Sequence, residues 1–191
     1  MNLPNRLTLV RVLLTPILLA VMTIDFQNNM AVALAIFVLA SVTDWLDGQL
    51  ARRNNMITTF GKFLDPIADK MLIFAAFLGF LHIDCVWRLE WVIFIAIARE
   101  LLVASARMLA ASDGNIIAAD FWGKAKTVLQ MIAVIAVLVF EQAKDMNLVS
   151  NDFSGVLYTI GSVLMWLTAV MTVFSGVNYL LACAKYVMKS K

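Results

Sequence analysis

The sequence predicts an all-α integral membrane protein of six transmembrane helices, with both termini cytoplasmic and a polar active-site cavity at the cytoplasmic side. Three observations carry the six helices. Of 191 residues, 62% are hydrophobic and only 15% charged, with a mean hydropathy of +0.87, whereas a soluble domain is about half apolar. The apolar residues fall into six stretches, approximately 7–25, 30–50, 63–82, 91–111, 124–141 and 155–183, each near the roughly 20 residues that a spanning helix requires. None of them shows the period-two alternation of barrel strands, so each must satisfy its backbone internally, as a helix.

The first stretch carries Arg11 and Pro16 and is followed by no small-residue cleavage pattern, so it is expected to be a membrane segment rather than a signal peptide. The second ends in a run of charged residues that begins at Asp44, and the third opens with Asp65 and Asp69 and closes at His82, the single histidine. The fourth follows Trp87 and Trp91, placed as interfacial anchors, and holds Arg99, Glu100 and Arg107. Lys124 and Lys126 open the fifth. Gly155, Gly161 and Gly176 in the sixth are read as close-packing positions, with a homodimer contact as one use.

The breaks between stretches are too short to be domains, so residues 1–191 are expected to form one transmembrane unit. A net charge of +2 gives no argument for nucleic acid as a partner, and Cys85 and Cys183 lie in separate apolar segments. Twelve of the fifteen Lys and Arg residues map to the side that holds both termini; Arg88 and Lys144 map opposite, and Arg99 lies in mid-span. The positive-inside rule makes that richer side cytoplasmic.

Four carboxylates, Asp44, Asp47, Asp65 and Asp69, fall within 26 residues at the junction of the second and third stretches. On a helix, Asp44 and Asp47 are i,i+3 neighbours, and Asp65 and Asp69 are i,i+4 neighbours, so each pair shares a face. Four like charges repel unless a cation sits among them. Oxygen ligands without His or Cys favour a hard ion, Mg²⁺ or Mn²⁺, with two ions as the expected number. Arg52 offers a fork suited to phosphate, and Gly48 and Gly61 let a ligand approach the backbone. Singly, an Asp at a helix end is an ordinary cap and a membrane Gly an ordinary packing residue. Capping does not require four acids at paired helical spacing around an Arg and two Gly.

This string resembles the signature of the CDP-alcohol phosphatidyltransferase family, D-x2-D-G-x2-A-R-x8-9-G-x3-D-x3-D, and matches it at every fixed position. The resemblance implies a six-span enzyme that moves a phosphatidyl group from CDP-diacylglycerol to an alcohol and releases CMP. It implies that Asp44, Asp47, Asp65 and Asp69 hold the metals and that Asp69 also acts as general base. Gly48, Arg52 and Thr58 would contact the CDP part of the donor.

Arg107, Lys124 and Lys126 map to the cytoplasmic end, where they suit an acceptor that carries its own phosphate. Positive-inside flanking also accounts for the lysines, and pairing of Glu100 with Arg107 across two turns is open. Residues 2–11, 97–100 and 123–127 resemble the bacterial subgroup of the family whose acceptor is sn-glycerol 3-phosphate. That resemblance implies that Arg107, Lys124 and Lys126 hold the acceptor phosphate, that Asn5 and Thr8 reach the cytidine side, and that the membrane is a bacterial inner membrane. Capping of the first helix is an equal reading of Asn5 and Thr8. Sibling transferases using inositol phosphate, serine or phosphatidylglycerol share the same donor motif. A divalent-cation transporter would also carry intramembrane acids, but near mid-membrane and in symmetric halves.

Overall fold

A computed structural model describes residues 3–53, 59–112 and 121–189, with side chains described for residues 8–43, 64, 67–110, 121–150 and 152–183. The described residues form six α-helices: α1 (Leu3–Thr23), α2 (Asn29–Arg53), α3 (Thr59–Ile83), α4 (Leu89–Ser112), α5 (Phe121–Asp145) and α6 (Asn151–Lys189). The all-α expectation stands, and each expected stretch lies within one helix except the first, 7–25, which runs two residues past the end of α1. The helices run a few residues beyond the apolar stretches because polar residues continue the backbone hydrogen bonding after the apolar run ends.

The turns at 24–28, 84–88 and 146–150 share positive backbone angles, just after a helix at Asp84 and Asn147, and just before one at Asn28 and Arg88. Asn28, Asp84, Arg88 and Asn147 adopt positive φ of 50–63°, a region in which Asn and Asp are the least disfavoured non-glycine residues. After α3, the Cys85 amide donates to the Phe80 carbonyl; after α5, the Leu148 amide donates to Ala143 and that of Asn147 to Lys144. Both are Schellman closures, with Asp84 and Asn147 in the place usually given to glycine.

The packing is divided between two trios. α1 packs against α2 and α3, while α6 packs against α4 and α5; α2 against α5 joins them, and α3 touches α4 and α5 more lightly. The core between them is apolar and fully buried at Leu18, Phe37, Phe77, Phe80, Val137 and Met165. Buried Thr168 and Thr172 satisfy their hydroxyls on carbonyls of their own helix, Met165 and Thr168.

The outer surface is also apolar: Leu39, Phe94, Leu101, Val163 and Val170 are each more than 60% exposed. Patches of that kind mark a surface that something other than water covers. Among the described residues, α5 and the Asp152–Cys183 part of α6 are long and apolar enough to cross a membrane, and Thr8–Thr23 and Asn29–Thr43 are shorter apolar stretches. Trp87 and Trp91 are exposed, as anchors would be, and Trp87 stacks at 5.8 Å on Trp166, whose indole donates to the Trp87 carbonyl.

The three sixth-stretch glycines differ in use. A Cβ on Gly161 would stand 3.3 Å from Val137, and one on Gly176 would stand 3.0 Å from the Arg99 side chain, so these two are spent on contacts inside the chain. Gly155 has open space around it.

Candidate active site

The acidic pairs fall on continuous helical backbone. Asp44 and Asp47 lie near the end of α2, and Asp65 and Asp69 in the first half of α3, so the i,i+3 and i,i+4 spacings are those of real helices. The side chains of Asp44, Asp47 and Asp65 lie outside the described residues, as do those of Asn5, Gly48 and Arg52 and the whole of Thr58. Among the described residues no group of three potential metal ligands is found. The donor set itself, four carboxylates on two adjacent helix starts and ends, fits a hard divalent ion.

Asp69 is the acid whose surroundings are described. Its Oδ1 accepts from Nη1 of Arg11 at 2.9 Å. The Arg11 side chain is 1% exposed and that of Asp69 42%, so the cation is rooted in the bundle while the carboxylate opens outward. Thr15 donates to the Arg11 carbonyl at 3.0 Å, inside the turn that leads into Pro16. Thr8 is also buried within α1, three residues before Arg11. It sits in the body of the helix, which corrects the capping reading of that residue.

One residue further along α3, Lys70 meets Glu100 of α4 at 3.1 Å. The same carboxylate binds Arg99 at 3.0 Å and Lys126 of α5. Arg99 then donates to the hydroxyl of Ser175 on α6 at 2.8 Å. Gly123 and Gly176 flank the Arg99 side chain closely, which makes room for it between α5 and α6. Three helices thus meet around one carboxylate, and α6 joins them through Arg99.

The three expected acceptor cations are therefore placed differently from one another. Lys126 is buried and ion-paired with Glu100, Lys124 is exposed, and Arg107 lies over the Tyr179 ring at 5.7 Å with Nε 3.5 Å from its hydroxyl. Glu100 pairs with Lys70, Arg99 and Lys126, and Arg107 goes to α6, which resolves the open pairing of Glu100 with Arg107. Spacing arguments did not single out Arg11, Lys70 or Tyr179 as site neighbours. The available signal was a charge inside an apolar run, since such a residue needs a partner or a polar cavity.

The family model for CDP-alcohol phosphatidyltransferase matches residues 1–174. Among curated proteins, the chain is 36% identical over 190 residues to a CDP-diacylglycerol–glycerol-3-phosphate 3-phosphatidyltransferase of Bacillus subtilis, covering 93% of each chain. It is 34% identical over 187 residues to the protein of that name from Rickettsia felis, covering 97% of each. A Salmonella choleraesuis protein of the same name is 36% identical over 183 residues, with 95% of this chain and 94% of the relative covered.

Proposed function

The chain belongs to the CDP-alcohol phosphatidyltransferase family, and from that premise we propose that it transfers a phosphatidyl group from CDP-diacylglycerol to sn-glycerol 3-phosphate, giving phosphatidylglycerol phosphate and CMP. The observation that supports this acceptor is the position of Lys70: it follows Asp69 directly and meets the carboxylate that also binds Lys126. A cluster richer in positive than in negative charge thus begins one residue along α3 from the acid that would receive the acceptor's proton. A neutral alcohol would gain nothing from it, whereas a phosphorylated one would. The three relatives named above carry the same acceptor in their names.

In this reading the acceptor hydroxyl oxygen forms a bond to the phosphorus that carries diacylglycerol. The bond from that phosphorus to the CMP phosphate oxygen breaks, CMP leaves with the electron pair, and the hydroxyl proton passes to Asp69. Arg11 orients the Asp69 carboxylate from below. Asp44, Asp47, Asp65 and Asp69 would hold two Mg²⁺ or Mn²⁺ ions, which supply charge neutralisation at the pyrophosphate when bound. Gly48, Arg52, Thr58, Asn5 and Thr8 would contact the CDP part of the donor. Arg107, Lys124 and Lys126 would hold the acceptor phosphate. All six helices would span a bacterial inner membrane, with both termini and the acidic helix ends at the cytoplasmic face.

The test is CMP release by protein purified in detergent, with CDP-diacylglycerol and Mg²⁺, comparing glycerol 3-phosphate with serine, inositol phosphate and phosphatidylglycerol. The expected result is turnover with glycerol 3-phosphate that stops on chelation and returns with the metal. Turnover only with another alcohol overturns the acceptor; no turnover by folded, metal-loaded protein overturns the reaction.

A further inference from the structure

We propose that Glu100 is a positioning residue that assembles the seat for the acceptor's phosphate, holding at one point Lys126 of α5 and Lys70, which follows Asp69 in α3. This rests on the reading of the acceptor as a phosphorylated alcohol. Glu100 collects Lys70 of α3, Arg99 of its own helix and Lys126 of α5. Lys126 and Glu100 are 4% and 14% exposed at the side chain, and Arg99 14%. Within this contact set three positive charges face one negative charge.

An ion pair kept for stability alone would be balanced, because unpaired charge away from water is costly and like charges repel. Among the described residues two positive charges are left over here, with half-exposed Lys70 among the three cations, and the buried Nε of Arg99 has no hydrogen-bond partner. A phosphate monoester brings about −1.5 to −2 charge near neutral pH and three acceptor oxygens, which matches both the surplus and the donors. Without the carboxylate, the three cations would repel one another and the two lysines would leave the point at which they now converge. Glu100 would touch neither the reacting atoms nor the donor; it would act through Lys70 and Lys126.

The experiment compares Glu100→Gln, Glu100→Asp and Lys70→Met with the unaltered protein in detergent, reading CMP release and the thermal shift on adding glycerol 3-phosphate. Glu100→Gln is expected to raise the acceptor KM about tenfold or more, with donor KM within about twofold, the pattern of lost ground-state binding. Glu100→Asp, which keeps the charge, should recover most of that loss. In a background that carries both Lys70→Met and Lys126→Met, Glu100→Gln should add less than about twofold, because Glu100 acts through those two lysines. Lys70 is 44% exposed, so Lys70→Met should fold even if Glu100→Gln does not, and it too should raise only the acceptor KM.

A fall in kcat with both KM values unchanged, or a Glu100→Asp protein no better than Glu100→Gln, would overturn the proposal. So would an unchanged acceptor KM in Lys70→Met. If the unaltered protein used only a phosphate-free alcohol, the acceptor reading would fall separately. The seat would then be judged on thermal stabilisation by glycerol 3-phosphate alone: stabilisation lost in Glu100→Gln supports it, and no stabilisation of the unaltered protein overturns it.

Discussion

Arg11 and Asp69, 58 residues apart, meet at 2.9 Å across the α1–α3 interface, the guanidinium inside the bundle and the carboxylate at its edge. Asp69 lies ten residues into α3, about 15 Å along the axis, so this contact fixes the carboxylate proposed as the base well below the helix start. Displacing a reacting group by about 1 Å can cost about a hundredfold in rate. Arg11→Met is expected to lower kcat by about that factor, with KM for glycerol 3-phosphate within about twofold. Arg11→Lys keeps the charge but loses the planar fork, and should fall between the two. A kcat for Arg11→Met equal to that of the unaltered protein would remove Arg11 from the site.

Asp65 shares a face of α3 with Asp69, one turn nearer the helix start. Asp65→Asn preserves shape but removes a charge, and puts a donating NH2 in place of an accepting oxygen, in the set proposed to hold the metals. Turnover is expected to fall about a thousandfold or more, the several kcal/mol of charge stabilisation that a bound metal supplies. Thermal unfolding in detergent should be unchanged within about 1 kcal/mol. Retained CMP release would take Asp65 out of the metal set.

Arg107 is held differently from Lys126. Its guanidinium lies over Tyr179 rather than against an acid, so its charge remains uncompensated by a carboxylate among the described contacts. Arg107→Ala is expected to raise the acceptor KM about tenfold, with the donor KM within about twofold. Tyr179→Phe keeps the ring and its attraction for the cation, worth about 0.5–2 kcal/mol, and should change the acceptor KM less than Tyr179→Ala does. Equal loss of donor and acceptor binding in Arg107→Ala would count against its assignment to the acceptor.

The six helices could be read from the chain because each apolar run is a local, contiguous signal, and the pairing of acids within α2 and α3 is set by helical spacing. Contacts between helices carry no such signal. Arg11 with Asp69 and Glu100 with Lys126 join residues 58 and 26 apart, and no periodicity relates them. The one pairing that spacing did suggest, Glu100 with Arg107 on the same helix, is replaced by partners on α3, α5 and α6 because those helices bring cations and a ring closer than two turns of α4 do. Thr8 reads as cap or site from the sequence for a related reason: α1 begins five residues earlier, at Leu3, and no local signal marks that start.

Cys85 lies in the 84–88 turn, buried, with its thiol facing the Phe80 carbonyl at 3.7 Å. Burial pushes the thiol far above its ordinary range, and the nearby Glu141 carboxylate adds to the rise. The thiolate is the reactive form, and a raised value in the folded state keeps it scarce even in mild alkali. Maleimide labelling of Cys85 in a Cys183→Ala protein near pH 8 should therefore be slower by about tenfold or more when folded than when unfolded. Equal rates would show that the turn opens freely.

Gly176 and Gly155 occupy the same helix but should respond oppositely to the same substitution. An added Cβ at Gly176 would stand 3.0 Å from Cγ of Arg99. That side chain cannot yield freely, because its guanidinium is bound to Glu100 at one nitrogen and to Ser175 at another. Gly176→Ala is expected to destabilise the protein by about 1–3 kcal/mol, the range for overfilling a packed site, and to raise the acceptor KM as the Glu100 cluster shifts. At Gly155 nothing lies within 4 Å of the added atom, so Gly155→Ala should gain up to about 1 kcal/mol from helix propensity. Thermal unfolding of the two variants in the same detergent decides the matter; a Gly176→Ala protein as stable as Gly155→Ala would mean that Arg99 is not held where the α4–α6 contact places it.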